Sequence, residues 1–293
     1  MPSATPPDSR PSPTRSSTGP ASTTPTSSAS APVSPGAEAA RTRRTAWAAL
    51  VLLGGALLVG VVLALVGGPW QVFILMHLGA LAIWFLVWRR SWRDLLRSAG
   101  PRSPWLLFAV SAGLCALSAV AHHSIDNPGA VLAPVTPTGL LSALAMALGV
   151  GVLMNAVPEE FSLRRCLLEP LRAQFGGGFA LWTTALAFVV MHLPTWISSH
   201  ATASTYAAEV PEKLLFGLVA AWSVLRLDSL AFALGMHVGG NFTGVLLDSL
   251  SREDTLTGWS RFTTPYVIAM VAETLVTAAA VWYLSRPIRE PAR

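Results

Sequence analysis

A few polar side chains stand inside or at the ends of apolar runs, and their types are those of acid-base chemistry: Glu159, Glu160 and Arg164, then His192, then His237 and Asn241, then Glu273. A charged group at membrane depth costs roughly 2.5–3.5 kcal/mol even on gentle insertion scales, so each needs a reason. Glu160 and Arg164 are four apart, with the acid on the N-terminal side, and this spacing predicts an ion pair on one helical face. Glu159 is turned about 100° away on a 3.6-residue helix and cannot share that pairing equally. One carboxylate is therefore held while its neighbour stays available. Taken alone, the group also fits an interfacial Glu–Arg pair closing a transmembrane helix.

The turn Phe175-Gly-Gly-Gly178 separates two helical segments. Glu159 lies 16 residues before Phe175 and His192 lies 16 residues after Gly176, so an antiparallel hairpin brings them to equal depth, able to face one another. His237 and Asn241, four apart, share a face of a helix thinned by Gly235, Gly239, Gly240 and Gly244. Close helix packing with His and Asn as hydrogen-bonding glue would explain that face equally well. Together the residues describe hydrolysis by a carboxylate-held water. Glu159 would take the proton, His192 would orient the water, and His237 and Asn241 would bind the oxyanion. No Gly-x-Ser-x-Gly elbow, His-Glu-x-x-His helix or paired-aspartate signature is present, which sets aside the serine, zincin and aspartyl routes.

The elements that must position these groups are membrane helices. Of 293 residues, 52% are hydrophobic and 12% charged, against about 25% charged in ordinary soluble domains, which excludes a soluble globular enzyme. The +5 balance does not indicate nucleic acid, because the basic residues flank apolar runs rather than one soluble face. Cys115 and Cys166 are too few for a disulfide scaffold or a cysteine zinc site. Residues 1–41, rich in Ser, Pro, Thr and Ala, are expected to be a disordered tail without a signal peptide; residues 42–293 are expected to be one polytopic all-α bundle with its catalytic core at about 138–250.

Eight spans are expected: Ala46 to Gly67, Trp70 to Trp88, Trp105 to Ala121, Thr138 to Val157, Phe179 to His192, Lys213 to Leu225, Ser229 to Leu250 and Thr264 to Leu284. Arginines 41, 43 and 44, then 89, 90, 93 and 97, then 165, 172, 286 and 289 fall on one side, which the positive-inside rule makes cytoplasmic. Both termini then lie in the cytoplasm of a multi-pass cell-membrane protein. Arg252 and Arg261 are the exception on the outer side, partly offset by Glu253 and Asp254.

Glu159-Glu160-x-x-x-Arg164, Phe188-x-x-x-His192 and His237-x-x-x-Asn241, in that order on successive helices, resemble the three motifs of the CAAX-protease and bacteriocin-processing (CPBP or Abi) family. The resemblance covers roughly Thr138 to Leu250. It implies an eight-helix intramembrane endopeptidase similar to the type II CAAX prenyl endopeptidase, acting on a peptide or membrane-protein substrate in contact with membrane lipid. It also implies that Glu159 and His192 hold the water, that His237 and Asn241 form the oxyanion hole, and that Glu160 and Arg164 support them. Leu163 and Arg165 stand where family members commonly have Phe and Gly, a difference of packing more than chemistry. The metalloprotease label often given to the family suggests zinc on Glu159, His192 and His237 as an alternative; the expectation is a site without metal or cofactor.

Glu273 is expected to pair with Arg164 or a site histidine, or else to be hydrogen-bonded to a hydroxyl such as Thr243 or Thr274. His77 reads as a packed core residue, and His122, His123 and His200 as loop residues. Two other functions compete with proteolysis. A non-catalytic membrane partner or immunity-type protein would keep the polar cluster for folding, and a proton or small-solute carrier would use Glu159, His192 and Glu273 as a relay.

Overall fold

Apolar sequence of spanning length has to satisfy its backbone internally, and helices do so. In a computed structural model, which describes residues 99–126, 135–251 and 263–287 with scattered positions between 43 and 62, the apolar runs are helical. The tail, the second run with its arginines and His77, most of the first run, the segment carrying Arg252 to Arg261, and Arg289 lie outside the described residues. Four stretches are long and apolar enough to cross a membrane: Pro104–Ile125, Pro137–Phe175, Gly177–Ser198 and Thr264–Leu284. The expected eight spans are thus met by four of this kind among the described residues.

Helix α1 is Pro104–Asp126, so His122 and His123 belong to its last turns and not to a loop. Helix α2 runs without interruption over Pro137–Phe175. The sequence ends the span at Val157 and has the chain continue past a bend at Pro158 to Arg172; the helix does pass through the proline, as far as Phe175. It does so by widening: Ala147–Ala156 and Phe161–Leu168 are π-helical on either side of the turn Val157–Glu160, and the Val157 amide bonds back to Val152. Such widened turns accommodate an interruption of the α ladder and are frequent at functional sites. Gly176 alone makes the reversal, with φ of 87°, a value glycine adopts at little cost.

Helix α3 is Gly177–Val190 and is followed by the short α4, Leu193–Ser198. Helix α5 is Ala203–Leu227 and contains Pro211, starting ten residues before the expected span at Lys213. It therefore takes in Glu209, Glu212 and Lys213, whose charge keeps it out of the set of four. Helix α6 is Ala231–Leu250, and α7 is Thr264–Leu284, with the bounds expected from the sequence.

Helices α1 and α6 approach closely because two glycines of α6 lie in the contact. A Cβ on Gly235 would stand 2.2 Å from Ser111 Oγ, and one on Gly239 would stand 2.2 Å from the Ala112 carbonyl oxygen. Gly240 and Gly244 face nothing as close, so only half of the thin stripe is used for packing. Gly151 of α2 meets α6 one turn beyond His237, where a Cβ would be 2.9 Å from the Asn241 carbonyl. Leu163, Leu167, Leu171 and Phe188 close a buried core with Ala220 and Val224 of α5, while Trp105, Leu141, Leu153 and Leu275 point outward, as lipid-facing residues do.

Candidate active site

A lone carboxylate could not stay charged between helices; Glu160 is buried with its partners instead. Its Oε2 is 3.2 Å from Arg164 Nε, and neither side chain has any exposed surface. The ion pair that the four-residue spacing requires is present. Its second oxygen, Oε1, lies 3.0 Å from Nδ1 of His237, brought in by α6. Because Arg164 holds Glu160 as the carboxylate, Nδ1–H of His237 is the donor in that bond. Oε1 of Glu160 is thereby hydrogen-bonded and Oε2 is held by charge alone, without a hydrogen bond, and the imidazole is oriented with Nε2 turned away from Glu160.

Nε2 of His237 is 3.7 Å from Oε2 of Glu159, which is 3% exposed. That distance is too long for a hydrogen bond, and Oε2 has none among the described residues. The hairpin register puts His192 at the depth of Glu159; the group seated 3.7 Å from Glu159 is His237 of α6. Equal depth on two helices does not fix the direction of the side chains around each axis.

His192 occupies the residue after the last turn of α3. Its amide bonds to the Val189 carbonyl rather than to Phe188, which leaves the Phe188 carbonyl to accept Nδ1–H of the imidazole at 2.7 Å. The tautomer follows: Nε2 of His192 carries the lone pair and can accept a proton from a donor such as water. Phe188 is the hub between the two histidines, with ring centroids 4.9 Å from His192, 5.7 Å from His237 and 5.2 Å from Phe216. The Arg164 guanidinium carbon lies 5.8 Å from the same ring. The sequence carried Phe188 only as a motif letter; its contacts show why an aromatic residue suits that position. Asn241 stands one turn beyond His237 on α6, its carbonyl beneath Gly151.

Reading the chain for isolated polar residues missed a second charged group. Lys213 Nζ is 3.3 Å from Glu209 Oε2 and 3.0 Å from Glu212 Oε1, and the Tyr266 hydroxyl of α7 donates to the other oxygen of Glu212. The available signal was the same as for Glu160 and Arg164, an acid four residues before a base.

Glu273 pairs with neither Arg164 nor a site histidine. It accepts from Ser118 Oγ at 2.6 Å and has His122 Nε2 at 3.6 Å, so both its partners are on α1. Its place is a separate polar contact between α1 and α7. The hydroxyl of Thr274 instead bonds to the Met270 carbonyl of its own helix. As for zinc, no group of three or more His, Cys, Asp or Glu side chains among the described residues is gathered as metal ligands.

Residues 140–243 match the family model described as type II CAAX prenyl endopeptidase Rce1-like. The match runs from α2 into α6 and takes in all three motifs, Glu159 through Asn241. No curated protein and no solved structure matches the chain.

Proposed function

We propose that this chain, Rce1-like over residues 140–243, is an intramembrane endopeptidase that hydrolyses a peptide bond with a water held by Glu159 and His192. The observation that carries the reading is the division of labour between adjacent carboxylates. Glu160 is ion-paired with Arg164 through Oε2, which makes no hydrogen bond, and is hydrogen-bonded to His237 through Oε1, while Glu159, buried beside them, has no ion pair with Arg164 and reaches His237 Nε2 only at 3.7 Å. An uncommitted carboxylate in a water-poor site is what general-base catalysis needs.

In this mechanism Glu159 takes one proton from the water as its oxygen adds to the scissile carbonyl carbon. His192 accepts a hydrogen bond from the same water at Nε2 and aims it. The negative charge that forms on the carbonyl oxygen is met by the Asn241 amide and by Nε2 of His237, which donates when the ring carries both protons. Collapse breaks the C–N bond, and Glu159 returns its proton to the leaving amine. A carboxylic acid and an amine are produced, and the site regains its starting charge.

The substrate class is a peptide or membrane protein presented at the lipid boundary, and the protein is a multi-pass membrane protein. Arg102, which bonds to the carbonyls of Leu284 and Arg286, and Arg172, 3.9 Å from Asp228, gather with Arg226 at one end of the bundle. This basic end supports a cytoplasmic placement of both termini.

Purified protein incubated with a library of membrane-tethered peptides tests the reading. Glu159→Ala and His192→Ala proteins are expected to lose cleavage by roughly 10²–10⁴-fold, the usual contribution of a general base. Cleavage by either variant at the wild-type rate would end the assignment.

A further inference from the structure

His237 binds the oxyanion in the proposed reaction, and one hydrogen bond is not enough to aim it. Its Nδ1 is held 3.0 Å from Glu160 Oε1, but the outer torsion of a histidine is broad, so the plane of the ring is set by what packs on it. Two phenyl rings do so. The Phe188 and Phe216 rings are stacked at 5.2 Å and 27° from parallel, and the imidazole stands at 76° to the first and 66° to the second, with centroids 5.7 and 5.0 Å away. Phe216, the nearer of the two, belongs to none of the three motifs.

Phe216 is itself held in place. Its neighbour on α5, Gly217, lies so close to α3 that a Cβ there would be 3.0 Å from Ala185 Cα, which pins the two backbones together one turn before Phe188. The side chain also packs against two buried cores at once, one that includes Phe188, Ala220 and Val224 and another that includes Val219, Phe232 and Met236. Among the described residues its ring contacts are Phe188 and His237, whereas Phe188 also meets His192 at 4.9 Å. Phe216 therefore bears on the oxyanion side of the site.

We propose that Phe216 is a positioning residue of the endopeptidase site: stacked on Phe188, it fixes the plane of the His237 imidazole so that Nε2 stays aimed at the developing oxyanion. This rests on the endopeptidase reading. Contacts between aromatic rings have preferred angles, so an aliphatic side chain of similar size fills the space without holding the imidazole at one inclination. The ring acts through His237 without touching substrate, so its loss lowers kcat and leaves KM in place.

Phe216→Leu and Phe216→Met keep most of the volume without the ring, and both are expected to fold because Phe216 is only partly buried. Melting temperatures are compared with wild type in the same detergent, and a quenched fluorogenic peptide selected from the tethered library reports the kinetics. The expected loss is about tenfold in kcat, less than the ~10²-fold of a misplacement of about 1 Å because Glu160 still holds Nδ1, with KM within about twofold. Phe216→Tyr, which keeps the ring, is expected to retain most of the rate. In a His237→Ala background, itself slower by roughly 10²–10³-fold and read in single-turnover reactions, Phe216→Leu should cost nothing further, while in an Asn241→Ala background it should show its full effect. Folded Phe216→Leu and Phe216→Met proteins as fast as wild type overturn the role, as do two proteins that fail to fold, a Phe216→Tyr protein as slow as they are, or an equal further loss in both backgrounds. A wild-type protein no more active than Glu159→Ala sinks the endopeptidase reading itself and the role of Phe216 with it, a result distinct from the others.

Discussion

Two glutamate–base pairs at the same four-residue spacing, Glu160–Arg164 on α2 and Glu209–Lys213 on α5, have come to different ends. The first is fully buried at 3.2 Å and ties a histidine from another helix; the second is partly exposed at 3.3 Å and ties a second glutamate and a tyrosine. Local spacing makes an ion pair in both cases. What differs is the third partner: Glu160 orients an imidazole of α6 whose far nitrogen lies 3.7 Å from Glu159, whereas Glu212 receives the Tyr266 phenol of α7. The same local rule thus supplies a tie between α2 and α6 in one place and a tie between α5 and α7 in the other.

The sharpest way to separate the two carboxylates of the first pair is to remove their charges one at a time. Glu159→Gln is expected to lower kcat by 10²–10⁴-fold with little effect on folding, because its oxygen is not part of the ion pair. Glu160→Gln is expected to be lost mainly as protein: it strands Arg164 in a site without exposure, at a cost of about 3–5 kcal/mol. Rate per folded molecule and melting temperature, measured side by side, distinguish them. Equal loss of rate at full stability for both variants would dissolve the division between base and scaffold.

Next in size is a pair of double-mutant cycles. Glu160→Gln with Arg164→Met is expected to give a coupling of about 3 kcal/mol, and Glu209→Gln with Lys213→Met about 1 kcal/mol or less, since the second pair is partly exposed and Glu212 remains to share the lysine. Denaturation in one detergent gives both numbers. Couplings of the same size would mean that burial does not distinguish the two regions.

Packing gives a third contrast. Gly239→Ala must push a methyl into the Ala112 carbonyl, so it is expected to cost about 1–3 kcal/mol and to move His237 away from Glu160. Gly244→Ala meets nothing within 4 Å and is expected to be neutral or slightly stabilising, because alanine is the better helix former. Thermal melting of the two variants checks this, and the glycine stripe would lose its positioning role if they behaved alike.

These contrasts also mark what a sequence reader can see. Glu160–Arg164 is legible because four residues on a helix are neighbours whatever the tertiary fold, and the bounds of α7 are legible because Thr264 and Leu284 enclose an unbroken apolar run. The expected span opens at Lys213, whereas α5 begins ten residues earlier at Ala203 and carries Pro211 within it, so the charged turn Glu209–Lys213 lies inside the helix and outside the span as read. At Pro158 the continuation of the chain is legible, but the means is not: π-helical turns on both sides keep α2 continuous. The facing of Glu159 and His192 is an inference about depth, and depth leaves rotation about the helix axis open; the approach of His237 to Glu159, from a third helix, has no signal in that register. Glu273 shows the same limit, since its partners Ser118 and His122 lie on α1, more than a hundred residues away.

Glu273 supplies the smallest expected effect and the most economical control on the boundary of the site. It is a carboxylate within a spanning helix, like Glu159, but its partners are a hydroxyl and an imidazole of α1 and none of the site residues. Glu273→Gln keeps an oxygen able to accept from Ser118 Oγ, so it is expected to cost roughly 0.5–1.5 kcal/mol, the worth of one hydrogen bond. Turnover of the fluorogenic peptide should stay within twofold of wild type. Ser118→Ala removes the donor from the other side and should match it in both respects. If Glu273→Gln instead slowed turnover tenfold while Ser118→Ala did not, the carboxylate would be acting on the reaction through its charge, and the polar contact between α1 and α7 would have to be redrawn as an extension of the site.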